Sequence, residues 1–429
     1  MKRLDWSVLD AAERDAALAR PASVADPDVV EAVKRIVEDV RLRGDLAVAE
    51  YTERFDGVTP DAVEVPTNDL EAAWTALPDA EKAALELAKT NIEAFHEPQR
   101  PTGYSVETMS GVTCRRLPRA LHSVGLYVPG GTAPLVSTVL MLAVPATMAG
   151  VAERVLVSPP GPDGRINSGV LAAAHLAGVT RVFAIGGAQA IAALAYGTVT
   201  VPRCAKIFGP GNAYVAAAKA MVSATPDGPA ADLPAGPSEA MVVADENANP
   251  AFVAADLLSQ AEHDTDAQVI CVASSDDVAD RVQVAIEAQL PKLSRHNIAA
   301  ASLRSARLFT APRKEFATII DAYAPEHLIL QIENADDIVG RIRNAGSVFV
   351  GPWTPESVGD YASGTNHTLP TGGAARAYSG VNLESFYTLM TVQELSRDGL
   401  RALGPTVETM ATMESLDAHR NAVSLRLES

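Results

Sequence analysis

RVFAIGGAQAIAALAYG, residues 181–197, reads as a short apolar strand, a glycine turn and an alanine-rich helix. The same unit recurs on both sides of it. VGLYVP (124–129), RVLVSPP (154–160) and AKIFGPG (205–211) are β-rich runs, and they lead into STVLMLAVPATMAG (137–150), SGVLAAAHLAG (168–178) and AYVAAAKAMV (213–222). Strand–helix alternation of this kind predicts a mainly parallel sheet with helices on its faces.

DLPAGPSEA, around Gly236, breaks the rhythm, and the pattern then restarts with AMVVAD, FVAADLLSQAEHD and AQVICVAS. A further helix, RVQVAIEAQL, leads on to RLFTAP, LILQI and GSVFVGP. The fold class predicted is therefore α/β, with two incomplete Rossmann-like domains, a helical N-terminal segment and a helical C-terminal tail. Residues 1–25 form the N-terminal segment. Residues 26–122 and 237–380 make one α/β domain, residues 123–236 the other, and 381–429 the tail. Within the first of these, Ser105–Leu117 alternates as a hairpin turning at Ser110-Gly111.

Composition narrows the function. The 429 residues carry a formal net charge of −18 with no basic block, which argues against nucleic acid or an anionic membrane as partner. Residues 123–152 are uncharged, but Pro129, Gly130, Gly131, Pro134 and Pro145 interrupt the ~20 apolar residues that a spanning helix needs. The N-terminus lacks the apolar core of a signal peptide, so the expectation is a soluble, cytoplasmic protein. Cys114, Cys204 and Cys271 contain no CxxC pair and indicate neither a disulfide framework nor a thiolate zinc cage.

The stretch GPWTPESVGDYASGTNHTLPTGGAARAYSGVN, residues 351–382, has neither helical nor strand period. Its apolar anchors, among them Trp353, Tyr361 and Leu369, argue against disorder, and it reads as an active-site wall carrying Asp360, His367 and Arg376. Elsewhere, Gln260 and His263 stand three apart at a helix end, a spacing that serves metal ligation. Glu326 and His327 are adjacent just before a strand and suit proton transfer near neutral pH. His419, five residues after Glu414, lies on the terminal helix. Together Gln260, His263, Asp360 and His419 would make a nitrogen/oxygen metal site.

No GxGxxG is present. Three loops, Pro129-Gly130-Gly131, Gly186 to Gln189 and Gly209 to Asn212, each follow a strand and precede a helix. Backbone N–H groups and helix N-termini at such places favour an anion, so a nucleotide could lie along them.

These motifs resemble the histidinol dehydrogenase family over nearly the whole length. The resemblance runs through GLYVPGGTAPL, GPGNAYVAAAK, DLPAGPSE, SQAEHD, APEHL, GDYASGTNHTLPTGGAAR and the closing Glu414–His419 segment. It implies oxidation of L-histidinol to L-histidine through the aldehyde, with two NAD and one water. It places zinc on Gln260, His263, Asp360 and His419, and the acid/base pair on Glu326 and His327. Substrate contacts would fall on Ser238, Gln260, His263, His327, Asp360, Glu414 and His419, and NAD contacts on Tyr127, Gln189 and Asn212. The family is homodimeric, with the terminal segment reaching the partner's active site. One departure stands out: Ser415 follows Glu414 where glycine is expected. The residues alone leave two other chemistries open, a zinc-dependent hydrolase with Glu326 activating water and a thiohemiacetal on Cys114 or Cys204.

Overall fold

Parallel strands buried on both faces demand near-continuous apolar sequence, and two sets of strands meet that demand. In the computed structural model, which describes residues 1–20, 27–58, 62–130, 134–234 and 236–429, both sets become six-stranded sheets. Gly131 and the end of the expected segment 1–25 lie outside these residues.

The first sheet runs, in spatial order, β2 (Glu64–Val65), β7 (Arg181–Ala184), β6 (Glu153–Ser158), β5 (Ser123–Tyr127), β8 (Lys206–Phe208) and β9 (Ala230–Ala231). All neighbours are parallel except β2 on β7. Strand order therefore reverses between β5 and β8, the switch point at which open α/β sheets leave a crevice. The alanine-rich helices Gly187–Tyr196 and Ala213–Ser223 pack on this sheet, the first burying residues 188–195 and the second residues 215–219 and Val222, since small residues allow close approach.

The second sheet is wholly parallel: β1 (Lys2–Asp5), β12 (Arg307–Thr310), β11 (Gln268–Ala273), β10 (Glu239–Ala244), β13 (His327–Gln331) and β14 (Ser347–Val350). Its switch falls between β10 and β13. The pleat divides β10 between two cores: Ala240, Val242 and Ala244 face one, Met241 and Val243 the other.

The chain divides into two compact units. Residues 1–99 with 122–385 hold both six-stranded sheets; residues 100–121 with 386–429 form the other unit. That second unit contains the antiparallel sheet β15 (Tyr387–Leu395), β4 (Val112–Ala120) and β3 (Tyr104–Met109), followed by helices Arg397–Met413 and Asp417–Leu427. The expected hairpin is present as β3 and β4, and Gly111 takes the left-handed conformation its turn requires.

Three boundaries differ from the sequence reading. Lys2–Asp5 form β1 ahead of the helix Ala11–Leu18, because an edge strand needs only the exposed backbone of β12 as template. Helix in the tail begins at Arg397; Tyr387–Leu395, in which Tyr387, Thr388, Thr391 and Val392 favour extended backbone, is a strand that pairs with β4. The helices between residues 27 and 96, assigned to the domain of 237–380, pack instead on helices of the first sheet. Val33, Ile36, Val37 and Val40 of Pro27–Arg43 join its core. Among the described residues no helix is long and apolar enough to cross a membrane.

Candidate active site

A cavity of about 120 Å³ collects most of the residues singled out above. The first sheet's segment contributes Leu135, Ser137, Thr138, Gly209, Pro210 and Leu233 to its wall. Ser238, Gln260, His263, Glu326 and His327 come from the second. The stretch 351–382 supplies Asp360, Tyr361, His367, Thr368, Leu369 and Thr371, as expected of an active-site wall. Part of that stretch is ordered as the short helix Glu356–Tyr361.

Each side chain is placed by local chemistry. Asn249 caps the helix Pro250–Ala261 through its side chain, and Pro250 opens it, so Gln260 arrives at the last turn. His263 follows in the turn, its N–H on the Gln260 carbonyl at 3.2 Å. Gln260 Oε1 is buried and has no partner among the described residues. Glu326 and His327 open β13. The Glu326 carboxylate accepts the Glu239 N–H at 2.8 Å, a donor that the sheet leaves unused at the start of β10. His327 Nδ1 lies 3.2 Å from the Glu239 carbonyl. In the neutral ring that contact fixes the proton on Nδ1 and leaves Nε2, which has no hydrogen-bond partner among the described residues, as the basic nitrogen.

Three carboxylates surround this imidazole. Glu326 Oε2 and Glu356 Oε1 each lie 3.6 Å from Nδ1, and Asp360 Oδ1 lies 3.6 Å from Nε2. Burial opposes a charge on His327, but Glu326, Glu356 and Asp360 outweigh it and hold its pKa well above the usual value. Burial likewise disfavours charge on Asp360, yet its pairing with the His327 imidazole keeps it below the ordinary carboxylate range. Glu356, almost fully buried, is pushed up to about 8, chiefly by burial. His367 is lowered by burial.

The nucleotide-side residues are arranged differently. Tyr127 ends β5, is buried, and accepts the Gly187 N–H on its hydroxyl at 3.1 Å; burial pushes its pKa up to about 12. Gln189 is buried with both amide atoms unpartnered among the described residues. The Asn212 side chain caps the helix Ala213–Ser223 by accepting from Tyr214 and Val215 N–H. Gly209, at φ +120°, sits so close to the Tyr127 carbonyl that a Cβ would approach its oxygen to 2.1 Å. Its peptide is clamped by the buried Lys219–Asp232 ion pair: Asp232 accepts its N–H and Lys219 donates to its carbonyl, both at 2.8 Å.

Tyr127, Gln189 and Asn212 do not line the cavity, which reaches the first sheet through Gly209 and Pro210. Glu414 and His419 belong to the second unit, where both are exposed and Ser415 between them is left-handed at φ +59°. Cys204 and Cys271 are buried, with thiols pushed up to about 12 by burial, which disfavours a thiolate nucleophile. Cys114 lies in β4 of the second unit.

Sequence reasoning missed Glu356, Glu239, Lys219 and Asp232. Only two had a readable signal: Lys219 is the one charge in AYVAAAKAMV, and Glu356 stands four before Asp360, a helical spacing.

Among the described residues no group of three or more His, Cys, Asp or Glu gathers as a metal cage. The donor set Gln260, His263 and Asp360, with its unpaired Gln260 Oε1, nevertheless fits a hard, open site that takes further donors from elsewhere. The unpartnered amide of Gln189 fits a polar ligand in the same way.

A family model described as histidinol dehydrogenase matches residues 19–427. The histidinol dehydrogenase of Xylella fastidiosa (strain 9a5c) is 52% identical over 428 residues, covering 100% of this chain and 99% of that one. The histidinol dehydrogenase of Bacteroides thetaiotaomicron is 52% identical over 413 residues, 96% of each chain. Among solved structures, that of histidinol dehydrogenase from Elizabethkingia anophelis superposes with a TM-score of 0.94 at 43% identity, covering 100% of this chain and 98% of that one.

Proposed function

The chain belongs to the histidinol dehydrogenase family and is an oxidoreductase; from that premise we propose that it oxidises L-histidinol to L-histidine through L-histidinal, using two NAD and one water. The observation that carries the proposal is the convergence of Glu326, His327, Gln260, His263 and Asp360 on one cavity bordered by Gly209 of the other sheet.

Gln260, His263 and Asp360 would hold zinc, with His419 as the remaining ligand. Bound zinc would supply a template orienting the amine and imidazole of the substrate, and NAD would accept the two hydrides. Ser238, Glu414 and the metal-site residues would complete the substrate contacts, while Tyr127, Gln189 and Asn212 would contact NAD.

The protein's own work is proton transfer. His327 Nε2, aimed by the Glu239 carbonyl on the far nitrogen, takes the alcohol proton as the first hydride leaves. It must be neutral to do so. Asp360, 3.6 Å from Nε2, would be drawn toward a bound cation, which would weaken one of the interactions that keep the imidazole charged. Glu326, anchored through one oxygen by Glu239 N–H, uses the other to deprotonate the water that adds to the aldehyde. As the water adds, His327 returns the alcohol proton to the aldehyde oxygen, and it then takes a proton from the resulting hydrate as the second hydride leaves.

Glu414 and His419 lie on the second unit, whose Leu389, Met390, Met410 and Met413 are exposed. Apolar surface of that kind supports a homodimer in which the terminal segment completes the active site of the partner subunit. A cytoplasmic location accompanies a biosynthetic role of this type.

The test is NADH absorbance with purified protein, NAD and L-histidinol, before and after chelation. Close to two NADH per histidinol, lost on chelation and restored by zinc, is the expected result. No NADH from metal-loaded protein would contradict it and turn attention to a zinc-dependent hydrolase.

A further inference from the structure

Glu239, the first residue of β10, holds both members of the acid/base pair through its backbone. Its N–H donates to Glu326 Oε2 at 2.8 Å, and its carbonyl lies 3.2 Å from His327 Nδ1. Its side chain, 3% exposed, makes a second set of bonds. Glu239 Oε2 accepts from Arg20 Nη2 at 2.8 Å, Oε1 accepts from Arg20 Nε, and Oε1 also accepts the Gly372 N–H at 3.1 Å. Arg20 is fixed in turn: Nη2 donates to the Tyr323 carbonyl at 2.8 Å, and the guanidinium lies 3.9 Å from the centre of the Tyr323 ring.

These bonds bring together three segments far apart in sequence: the N-terminal residue Arg20, the start of β10, and Gly372 beside the cavity-lining Thr371. Burying an ion pair costs desolvation, and an apolar pair of similar size would hold β10 as firmly. What the planar fork adds is direction, two parallel bonds that fix a carboxylate against rotation. The proton transfers described above use neither charge.

We propose that Arg20 and Glu239 are a positioning pair for the oxidation. Together they fix the Glu239 peptide, and through it the Glu326 carboxylate and the His327 ring, while the same carboxylate fastens the wall at Gly372. Neither residue touches substrate; they act through the acid/base pair. The inference rests on the reading of this cavity as the site of histidinol oxidation.

The test compares wild type, Arg20→Ala, Arg20→Lys and Glu239→Gln by NADH formation from histidinol, normalised to folded protein. Displacing catalytic groups by about 1 Å costs on the order of 10²-fold, so Arg20→Ala should lower kcat by roughly 10- to 100-fold. Both KM values should stay within about threefold, because ground-state binding is untouched. Added guanidinium ions, below unfolding concentrations, should restore turnover saturably in Arg20→Ala and not in Glu239→Gln. A purely structural role would lower thermal stability without this rescue. Retention of wild-type kcat by Arg20→Ala within about twofold, or a loss that guanidinium leaves unrepaired, would overturn the pairing. Should Arg20→Ala fail to fold, Arg20→Lys decides: it keeps the charge and loses the fork, so lowered kcat at constant KM supports the pair and wild-type kcat overturns it. Absence of NADH from the wild type would instead overturn the functional reading itself.

Discussion

Between β5 and β8 the first sheet ends, at its carboxyl edge, in Tyr127 and Gly209; between β10 and β13 the second sheet starts, at its amino edge, with Glu239 and His327. Both are switch points of the same kind, yet at one edge the buried Lys219–Asp232 pair is spent on the Gly209 backbone, while the other is crowded with titratable groups that face the cavity. The usual rule puts ligands at carboxyl edges, and the first sheet follows it. In the second sheet the carboxyl edge is tied up: Asp245 accepts the N–H groups of Asn247 at 3.0 Å and Glu333 at 2.7 Å. Its amino edge is the one left for chemistry, and the unpaired N–H of Glu239 there becomes the anchor of Glu326. Strand direction alone therefore does not place a site. In the proposed function, nucleotide belongs to the backbone-lined edge and proton transfer to the charged one.

The largest effect should come from the charged edge. Glu326→Gln is expected to slow oxidation of supplied L-histidinal by about 10²- to 10⁴-fold, the range for loss of a general base, while the alcohol step slows far less. Pre-steady-state NADH formation from each substrate separates the steps, and equal slowing of both would remove the role given to Glu326.

On the other edge, Gly209→Ala places a methyl group against the Tyr127 carbonyl at a φ that side chains avoid. Strain of about 1–3 kcal/mol should appear as NAD binding weakened by tenfold or more, with a smaller change in the histidinol KM. A histidinol KM that rises in step with that of NAD would blur the division between edges.

A pH experiment sharpens the charged side. Glu356, pushed up to about 8 from 4.5, binds its proton more tightly folded than unfolded. The stability this gives is fully present below pH 4.5 and is lost as pH rises through about 8. Between pH 6 and 8 the wild type should lose on the order of 2 kcal/mol that Glu356→Gln does not lose, read from urea midpoints. Parallel curves for the two proteins would show that Glu356 is not the group responsible.

The smallest effect concerns Ser415, which is left-handed without being glycine. Gly209 needs glycine for space as well as for φ, whereas Ser415 meets the φ requirement only. Ser415→Gly should stabilise the α-helical end of the second unit by about 1 kcal/mol, detectable as a shift in its thermal transition. No gain would mean that the serine side chain compensates locally.

Much of this was legible in the chain itself. Strand–helix alternation gave both parallel sheets, and the i, i+3 spacing of Gln260 and His263 and the Glu326-His327 pair pointed to the cavity. What escaped was held by long-range contact. Glu239 works through backbone groups that any residue carries, and Asp232 reaches the Gly209 N–H from 23 residues away. The packing of residues 27–96 on the first sheet was hidden because an amphipathic helix announces an apolar face, not which core receives it.

The division between edges is tested most directly by NAD affinity in the double variant Glu326→Gln/His327→Gln, measured by calorimetry. The account predicts a Kd within about twofold of wild type while turnover is lost, because neither group belongs to the nucleotide edge. An affinity that falls with turnover would contradict it and place NAD among the charged residues.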